Sequence, residues 1–192
     1  MVTAAILGHR GYLGRVVTRR WAELGAEMVY PDDAETIVLA IAPDDLVLAE
    51  GLAETRQLIL PSTDAIAEDT DYARSKRILE RTPGAVIIRA GIVDIRPERQ
   101  PSVAYRNWSC NPLTPLEWAD AAWLLRDRPG LHTLGREPVS RFTVTDTVAR
   151  LWDYPAPVPS WAEVPRHRVQ ESRAIYPPLA DALTEFREWL RS

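Results

Sequence analysis

Tyr72 and Lys76, four residues apart, are the side chains whose types and spacing could do chemistry in this sequence. Among its 23 basic residues one is Lys and the rest are Arg, and there are six Tyr. Placed at random, the Lys would follow a Tyr at this spacing about 3% of the time, so the pair calls for a reason. On a helix, residues i and i+4 share a face. An ammonium held there favours the phenolate and pulls a phenol toward neutrality, where it exchanges protons usefully at pH 7. Arg is no substitute, because its planar guanidinium stays charged and spreads that charge over a fork.

Such a pair needs elements to position it and a partner to act on. Residues 4–7 are a short apolar run that meets Gly8-His9-Arg10-Gly11-Tyr12-Leu13-Gly14, after which Tyr12, Leu13, Val16, Val17, Trp21 and Leu24 recur at helical spacing. The pattern predicts strand, glycine turn, helix. Glycines there let the backbone turn tightly and approach a pyrophosphate, while the helix N-terminus offers N–H groups to it. Gly8, His9, Arg10, Gly11, Tyr12, Leu13 and Gly14 are therefore candidate cofactor contacts. Residues 26–30 read as a second strand closing on Pro31-Asp32-Asp33. Asp32 stands where a ribose hydroxyl would be held, which favours NAD; Arg10 would instead meet a 2'-phosphate, which favours NADP. Both remain open.

Residues 36–41 (TIVLAI) form a continuous apolar run, the mark of a central parallel strand, and its end, Ala40-Ile41-Ala42, is a further cofactor candidate. Pro43-Asp44-Asp45 starts a helix carrying Leu46, Ala49, Leu52 and Ala53, and the next strand, from residue 57, ends at Pro61-Ser62-Thr63-Asp64. Hydroxyls at the carboxyl edge of a parallel strand face the crevice where doubly wound sheets bind ligands; they serve equally well as caps. Asp71 then caps a helix with Tyr72 and Lys76 on one face and Ile78 and Leu79 on the other. Gly84 ends it, and residues 86–88 make a strand leading to Arg89-Ala90-Gly91.

These pieces, in this order, resemble the extended short-chain dehydrogenase/reductase family. Within it, Ser62-Thr63-Asp64 is similar to the triplet of dTDP-4-dehydrorhamnose reductases and Gly8-His9-Arg10-Gly11 to the turn of GDP-fucose synthases. The resemblance implies a Rossmann-like doubly wound parallel sheet (1–95) and a small C-terminal α+β substrate-binding part (96–192). It implies an NAD(P)-dependent reductase of a keto group on a nucleotide-activated sugar or similar small carbonyl compound. Tyr72 would be the general acid, Lys76 would hold the nicotinamide ribose and lower the phenol's pKa, and Thr63 with Ser62 would bind the carbonyl oxygen. Asp64, Arg89 and Arg141 would contact substrate. A sugar-nucleotide epimerase, or a catalytically idle NAD(P)-binding sensor or accessory subunit, would keep most of the same residues. The chain departs from the pattern before Thr36, where there is no room for the helix and third strand of the family, so one edge strand-helix unit is expected to be missing. Ala65 stands where 4,6-dehydratases carry Glu, which counts against dehydration.

Composition narrows the alternatives. The 192 residues allow one domain or one with a small appendage, and a net charge of -4 with pI near 5.5 argues against a nucleic-acid binder. Cys110 is alone, so there is no intrachain disulfide, and the three His show no metal-ligand spacing. The sequence shows no targeting segment and no run of membrane-spanning length, which gives an expectation of a cytoplasmic protein without a membrane partner. In the proline-rich second half, a strand is expected over residues 103–108. Helices are expected over 115–126, with Leu116, Ala119, Trp123 and Leu124 inward, over 143–151, and at the end, with Leu179, Leu183, Phe186 and Leu190 on one stripe. Arg106, Arg141, Arg166, Arg168 and Arg173 are candidates for a substrate diphosphate. The resemblance also suggests a homodimer.

Overall fold

Thr3–Leu7 forms strand β1 of a computed structural model that describes residues 1–40, 51–52, 54, 56–168 and 176–192. Gly8 follows at φ 88, a conformation open to glycine, and the chain turns into helix α1, Tyr12–Glu23. Val16, Val17 and Trp21 turn inward from α1. Strand β2 is only Glu27–Met28, shorter than the expected 26–30, and pairs parallel with Thr3 and Ala4 of β1. After seven intervening residues, with one 3-10 turn at Pro31–Asp33 and no α-helix between, β3 (Thr36–Leu39) pairs parallel on the other side of β1. Then come β4 (Gln57–Thr63), helix α2 (Asp71–Leu79) and β5 (Val86–Ile92), giving the order β2-β1-β3-β4-β5.

That order is a doubly wound sheet whose outermost strand-helix unit is missing, as the short spacing before Thr36 predicts. One layer of its core combines Ala5, Ile37, Leu39, Leu58, Leu60 and Ile87 with Ala34 and Val29 of the β2–β3 link and Leu79 of α2. Helix α3, Pro115–Leu125, lies against α1: Trp21 donates its indole N–H to the Ala119 carbonyl at 3.0 Å and meets Trp123 edge-on at 5.3 Å, and Arg20 pairs with Asp120. Leu116 and Ala119 are buried as expected, but Leu124 is exposed, and Trp118 occupies the interior. The expected helix after Pro43 lies almost wholly outside the described residues.

The chain divides into two compact units, Met1–Arg89 with Pro115–His132, and Ala90–Thr114 with Thr133–Ser192. The division drawn at residue 95 is thus crossed by α3, which belongs with the first unit because its apolar face covers α1. In the second unit the last residues of β5 pair with β8 (Pro112–Leu113). The expected strand over 103–108 is broken into β6 (Val103–Tyr105) and β7 (Trp108–Cys110). β7 is flanked by β10 (Val139–Ser140) and β12 (Arg166–Arg168), and β6 pairs with β11 (Val158–Ser160); β9, Gly130–Thr133, pairs with β5. Helices α4 (Arg141–Trp152) and α5 (Leu179–Arg191) pack together, with Leu179, Leu183 and Phe186 buried and Leu190 at the exposed end. Arg136 is buried and donates to the carbonyls of Pro112 and Pro177. No described helix is long and apolar enough to cross a membrane.

Candidate active site

The turn after β1 is built around contacts that exclude side chains. A Cβ on Gly14 would overlap the Gly8 carbonyl, coming within 2.7 Å of its carbon and 2.9 Å of the His9 Cα, and one on Gly11 would reach the Gly8 oxygen at 3.2 Å. The Gly11 N–H donates to the Gly8 carbonyl at 2.8 Å, so the loop folds back on itself before α1 begins. Gly11 starts α1 with no side-chain cap, and no acid stands in the first turn. The positive end of the helix is therefore not offset by an acid of its own first turn. This turn lies at the carboxyl end of β1, between strands that leave to opposite sides, where doubly wound sheets open a crevice. Ala40 is on the same edge, its N–H donating to the Leu7 carbonyl at 2.8 Å. Ile41 and Ala42 lie outside the described residues.

These residues fit the pyrophosphate of a dinucleotide. They do not supply the rest of the family's adenosine site. Asp32 belongs to the 3-10 turn after β2, and its carbonyl accepts from Arg56, which stands just before β4. Glu35 and Gln57, at the starts of β3 and β4, line the same hollow as Asp32. Asp32 is therefore at the amino edge of the sheet, whereas the glycine turn is at the carboxyl edge, on the order of 13 Å away along β1 at about 3.3 Å per residue. The structure does not bring Asp32, the expected ribose contact, to the edge that holds the turn. The physical reason is the length of β2: it ends opposite Ala4, so the link runs down toward Thr3 instead of continuing up beside the turn. Arg10, by contrast, is exposed on the turn itself.

Two strands further along the sheet, β4 overshoots β3. Its register pairs Val38 with Ile59, so Pro61, Ser62 and Thr63 project past the end of β3 at Leu39 on the same carboxyl edge. Helix α2 meets them. Its N-cap is Thr70, which accepts from the Ala73 N–H at 3.1 Å, and not Asp71, which is the first helical residue and pairs with Arg74. The buried stripe of α2 is Ala73, Lys76 and Leu79, so Lys76 sits where an apolar residue would be expected. Its side chain is 4% exposed, donates to the Pro61 carbonyl at 2.9 Å, and lies 5.7 Å from the centroid of the Tyr72 ring. Burial pushes the Lys76 pKa down from 10.5 to about 8. It is still mainly an ammonium at pH 7.

Tyr72 is half-exposed, with the Thr63 hydroxyl and the Asp64 carboxylate near enough to act on its phenol. Its pKa is raised, by partial burial first and by the Asp64 carboxylate second, against a lowering by the Thr63 hydrogen bond. The expected depression by Lys76 is not what the geometry delivers, because the ammonium lies over the ring face and is committed to Pro61, whereas Asp64 acts on the phenol. Thr63 accepts from the Ala65 N–H at 3.1 Å and lies 3.4 Å from Asp64 Oδ1, so cap and site roles coincide in one hydroxyl. Ser62 behaves differently: its hydroxyl donates to Glu80 Oε1 at 2.6 Å. Arg89, expected at substrate, forks onto the same Glu80, through Nε at 2.8 Å and Nη2. Both are taken up by a carboxylate that the sequence reading passed over. The alternation of β4 and β5 was the available signal, since Ser62 shares a face with Leu58 and Leu60, and Arg89 with Ile87, all under α2.

Arg141 is exposed at the start of α4 in the second unit. In that unit Arg106 stacks on Phe142 and Arg166 on Trp108, each 4.4 Å from the ring centroid. Arg173 and the side chain of Arg168 lie outside the described residues.

No protein-family model and no curated protein sequence matches the chain. Solved structures do. The dTDP-4-dehydrorhamnose reductase of Bacillus anthracis, in complex with NADP, superposes with a TM-score of 0.75 at 13% identity, covering 100% of this chain and 99% of that one. The UDP-N-acetylglucosamine 4-epimerase of Bacillus cereus gives 0.74 at 13% identity, covering 100% of each. A GDP-L-fucose synthetase from Naegleria fowleri, bound to NADP, gives 0.67 at 10% identity over 99% and 94%. With its wound parallel sheet, glycine turn and Tyr72/Lys76 helix, the chain has the fold of the extended short-chain dehydrogenase/reductase enzymes.

Proposed function

We propose that the chain is an NAD(P)-dependent reductase of a small carbonyl compound, of the nucleotide-sugar class that the names of its structural neighbours share. The observation that carries this is the registration of Thr63 and Pro61 on Tyr72 and Lys76, at the sheet edge that also holds the glycine turn. The turn would hold the cofactor's diphosphate, with α1 supplying N–H groups and partial positive charge. The cofactor, when bound, supplies the hydride. Tyr72 donates the proton to the carbonyl oxygen; with its raised pKa it is protonated at neutral pH and needs the Lys76 charge beside it to release that proton readily. Thr63 donates a second hydrogen bond to the same oxygen. Lys76 has donors beyond the one given to Pro61, and these would hold a ribose hydroxyl while its charge steadies the phenolate left behind. The exposed Arg10 on the turn, with Asp32 at the far edge, favours the 2'-phosphorylated cofactor.

The test is fluorescence titration with NADH and NADPH, followed by cofactor oxidation with a panel of 4-keto sugar nucleotides. Micromolar binding with turnover that disappears in Lys76→Met supports the reductase. Binding without oxidation of either cofactor on any substrate leaves an idle nucleotide-binding module, which the shortened adenosine side already favours. Cofactor retained through purification, with interconversion of two sugar epimers, replaces the reductase by an epimerase.

A further inference from the structure

The charged residues of α2 continue past the lysine. Glu80 follows Lys76 by one turn and closes the helix, its N–H donating to the Lys76 carbonyl at 3.0 Å. Its side chain is 10% exposed, and its carboxylate accepts from Ser62 Oγ and from two nitrogens of Arg89. Tyr72, Lys76 and Glu80 thus stand at i, i+4 and i+8 and engage Thr63, Pro61 and Ser62. Three consecutive residues at the end of β4 face three successive turns of the same helix, and two of them, Pro61 and Ser62, are held there by hydrogen bonds.

We infer that Glu80 and Arg89 are positioning residues: Glu80 fixes the end of β4 against α2 through Ser62, and Arg89 keeps that carboxylate from turning back onto the Lys76 ammonium. A buried ion pair is seldom more stabilising than apolar side chains of the same volume, so stability alone does not account for placing one here. Geometry does. An unpaired carboxylate at residue 80 would find an ammonium four residues away on the same helix face, within reach of an ion pair. Forming it would draw Nζ from Pro61 and from the phenol. The Arg89 fork offers two parallel donors, which a single ammonium cannot match. Burial is what acts on Lys76, and the neutralised pair leaves it otherwise undisturbed. Among the described residues, the Tyr72 ring and the Pro61 carbonyl lie against the ammonium, and the Glu80–Arg89 pair stands one turn on. The inference rests on the reductase reading only for what the three rungs are held ready to do.

The single Lys of the chain makes a direct test possible. Protein labelled with carbon-13 at lysine Cε gives one side-chain NMR signal, and its pH titration reports on Lys76 with no turnover required. The wild-type midpoint is expected near about 8. In Arg89→Met the freed carboxylate should raise that midpoint by about one pH unit or more, and the double variant Glu80→Met/Arg89→Met, which removes both charges, should bring it back. Glu80→Gln keeps an acceptor for Ser62 and leaves the guanidinium uncompensated, so its midpoint should fall. An unmoved midpoint in folded Arg89→Met overturns the inference; should that variant not fold, an unmoved midpoint in Glu80→Gln does so. Where wild-type turnover exists, Glu80→Gln should lower kcat by about 10- to 100-fold with cofactor Kd unchanged, and unaltered kcat counts against the positioning role. Absence of turnover in the wild type sinks the reductase reading while leaving the NMR outcome to stand or fall by itself.

Discussion

Two connections of the same sheet are comparably short, and they treat its edges in opposite ways. From Thr63 to Tyr72 the chain makes one 3-10 turn at Asp64–Ala67 and enters α2; Thr63 accepts from the Ala65 N–H, Arg77 of α2 donates back to the Ile66 carbonyl, and Lys76 of α2 donates to Pro61 of β4. From Met28 to Thr36 the chain also makes one 3-10 turn, but it descends to the amino edge and leaves its acids lining a solvent hollow beside Arg56. Shortening was absorbed in the first case because helix rungs and strand residues can be matched one to one. It was not absorbed in the second, since a ribose-binding acid needs a strand long enough to carry it up to the carboxyl edge. Among the described residues, the groups of the proposed site are thus gathered on one side of the glycine turn.

Substitutions should reproduce that asymmetry. Tyr72→Phe removes the proton donor and should lower kcat for cofactor oxidation by about 10²- to 10⁴-fold, with cofactor affinity held within about twofold. A milder loss would mean that another group carries the proton. Gly14→Ala drives a methyl group into the Gly8 carbonyl, backbone against backbone, and should cost about 1–3 kcal/mol in urea unfolding as well as weakening the cofactor. Unchanged stability would show that the turn is looser than its contacts.

Lys76→Met sharpens the comparison from the side of stability. The drop from 10.5 to about 8 in a side chain 4% exposed corresponds to about 3 kcal/mol of preference for the neutral amine. The folded state holds the proton less tightly than the unfolded one, so this penalty is full below about pH 8 and fades as pH rises to 10.5. After allowance for the lost bond to Pro61, the variant should melt about 3–6 °C higher at pH 7, and its advantage should shrink as the pH approaches 10. A lower melting temperature at pH 7 would show that the ammonium contributes to the fold. The smallest effect is expected at the other connection: Asp32→Ala should leave NADH and NADPH affinities within about twofold of wild type. A tenfold loss there would restore the acid to the cofactor site.

Much of the first unit was legible in the sequence, for identifiable reasons. The glycine turn could be read because only glycine meets its steric demand at Gly14, and the Tyr72/Lys76 helix because a lone ammonium stands out among guanidiniums. The missing strand-helix unit could be read from length alone. Asp32 was misplaced because residues 26–30 look like a strand of ordinary length, and nothing in their pattern says that only Glu27 and Met28 pair. Ser62 and Arg89 were assigned to substrate because each looks like a crevice residue by itself; their common partner, Glu80, is indistinguishable in sequence from a solvated helix end. Leu124 was turned inward because its spacing fits the stripe; α3 meets α1 through Ala119, Asp120 and Trp123, and it is Trp118, not Leu124, that is buried.

With no further strand beside it among the described residues, β2 becomes the rim of the main sheet, and it pairs through just two residues, one of them the charged Glu27. A long bare rim invites a neighbouring molecule to add a strand of its own. This one offers few free amides and carbonyls to recruit a newcomer, so it is a poor template for stacking into fibrils.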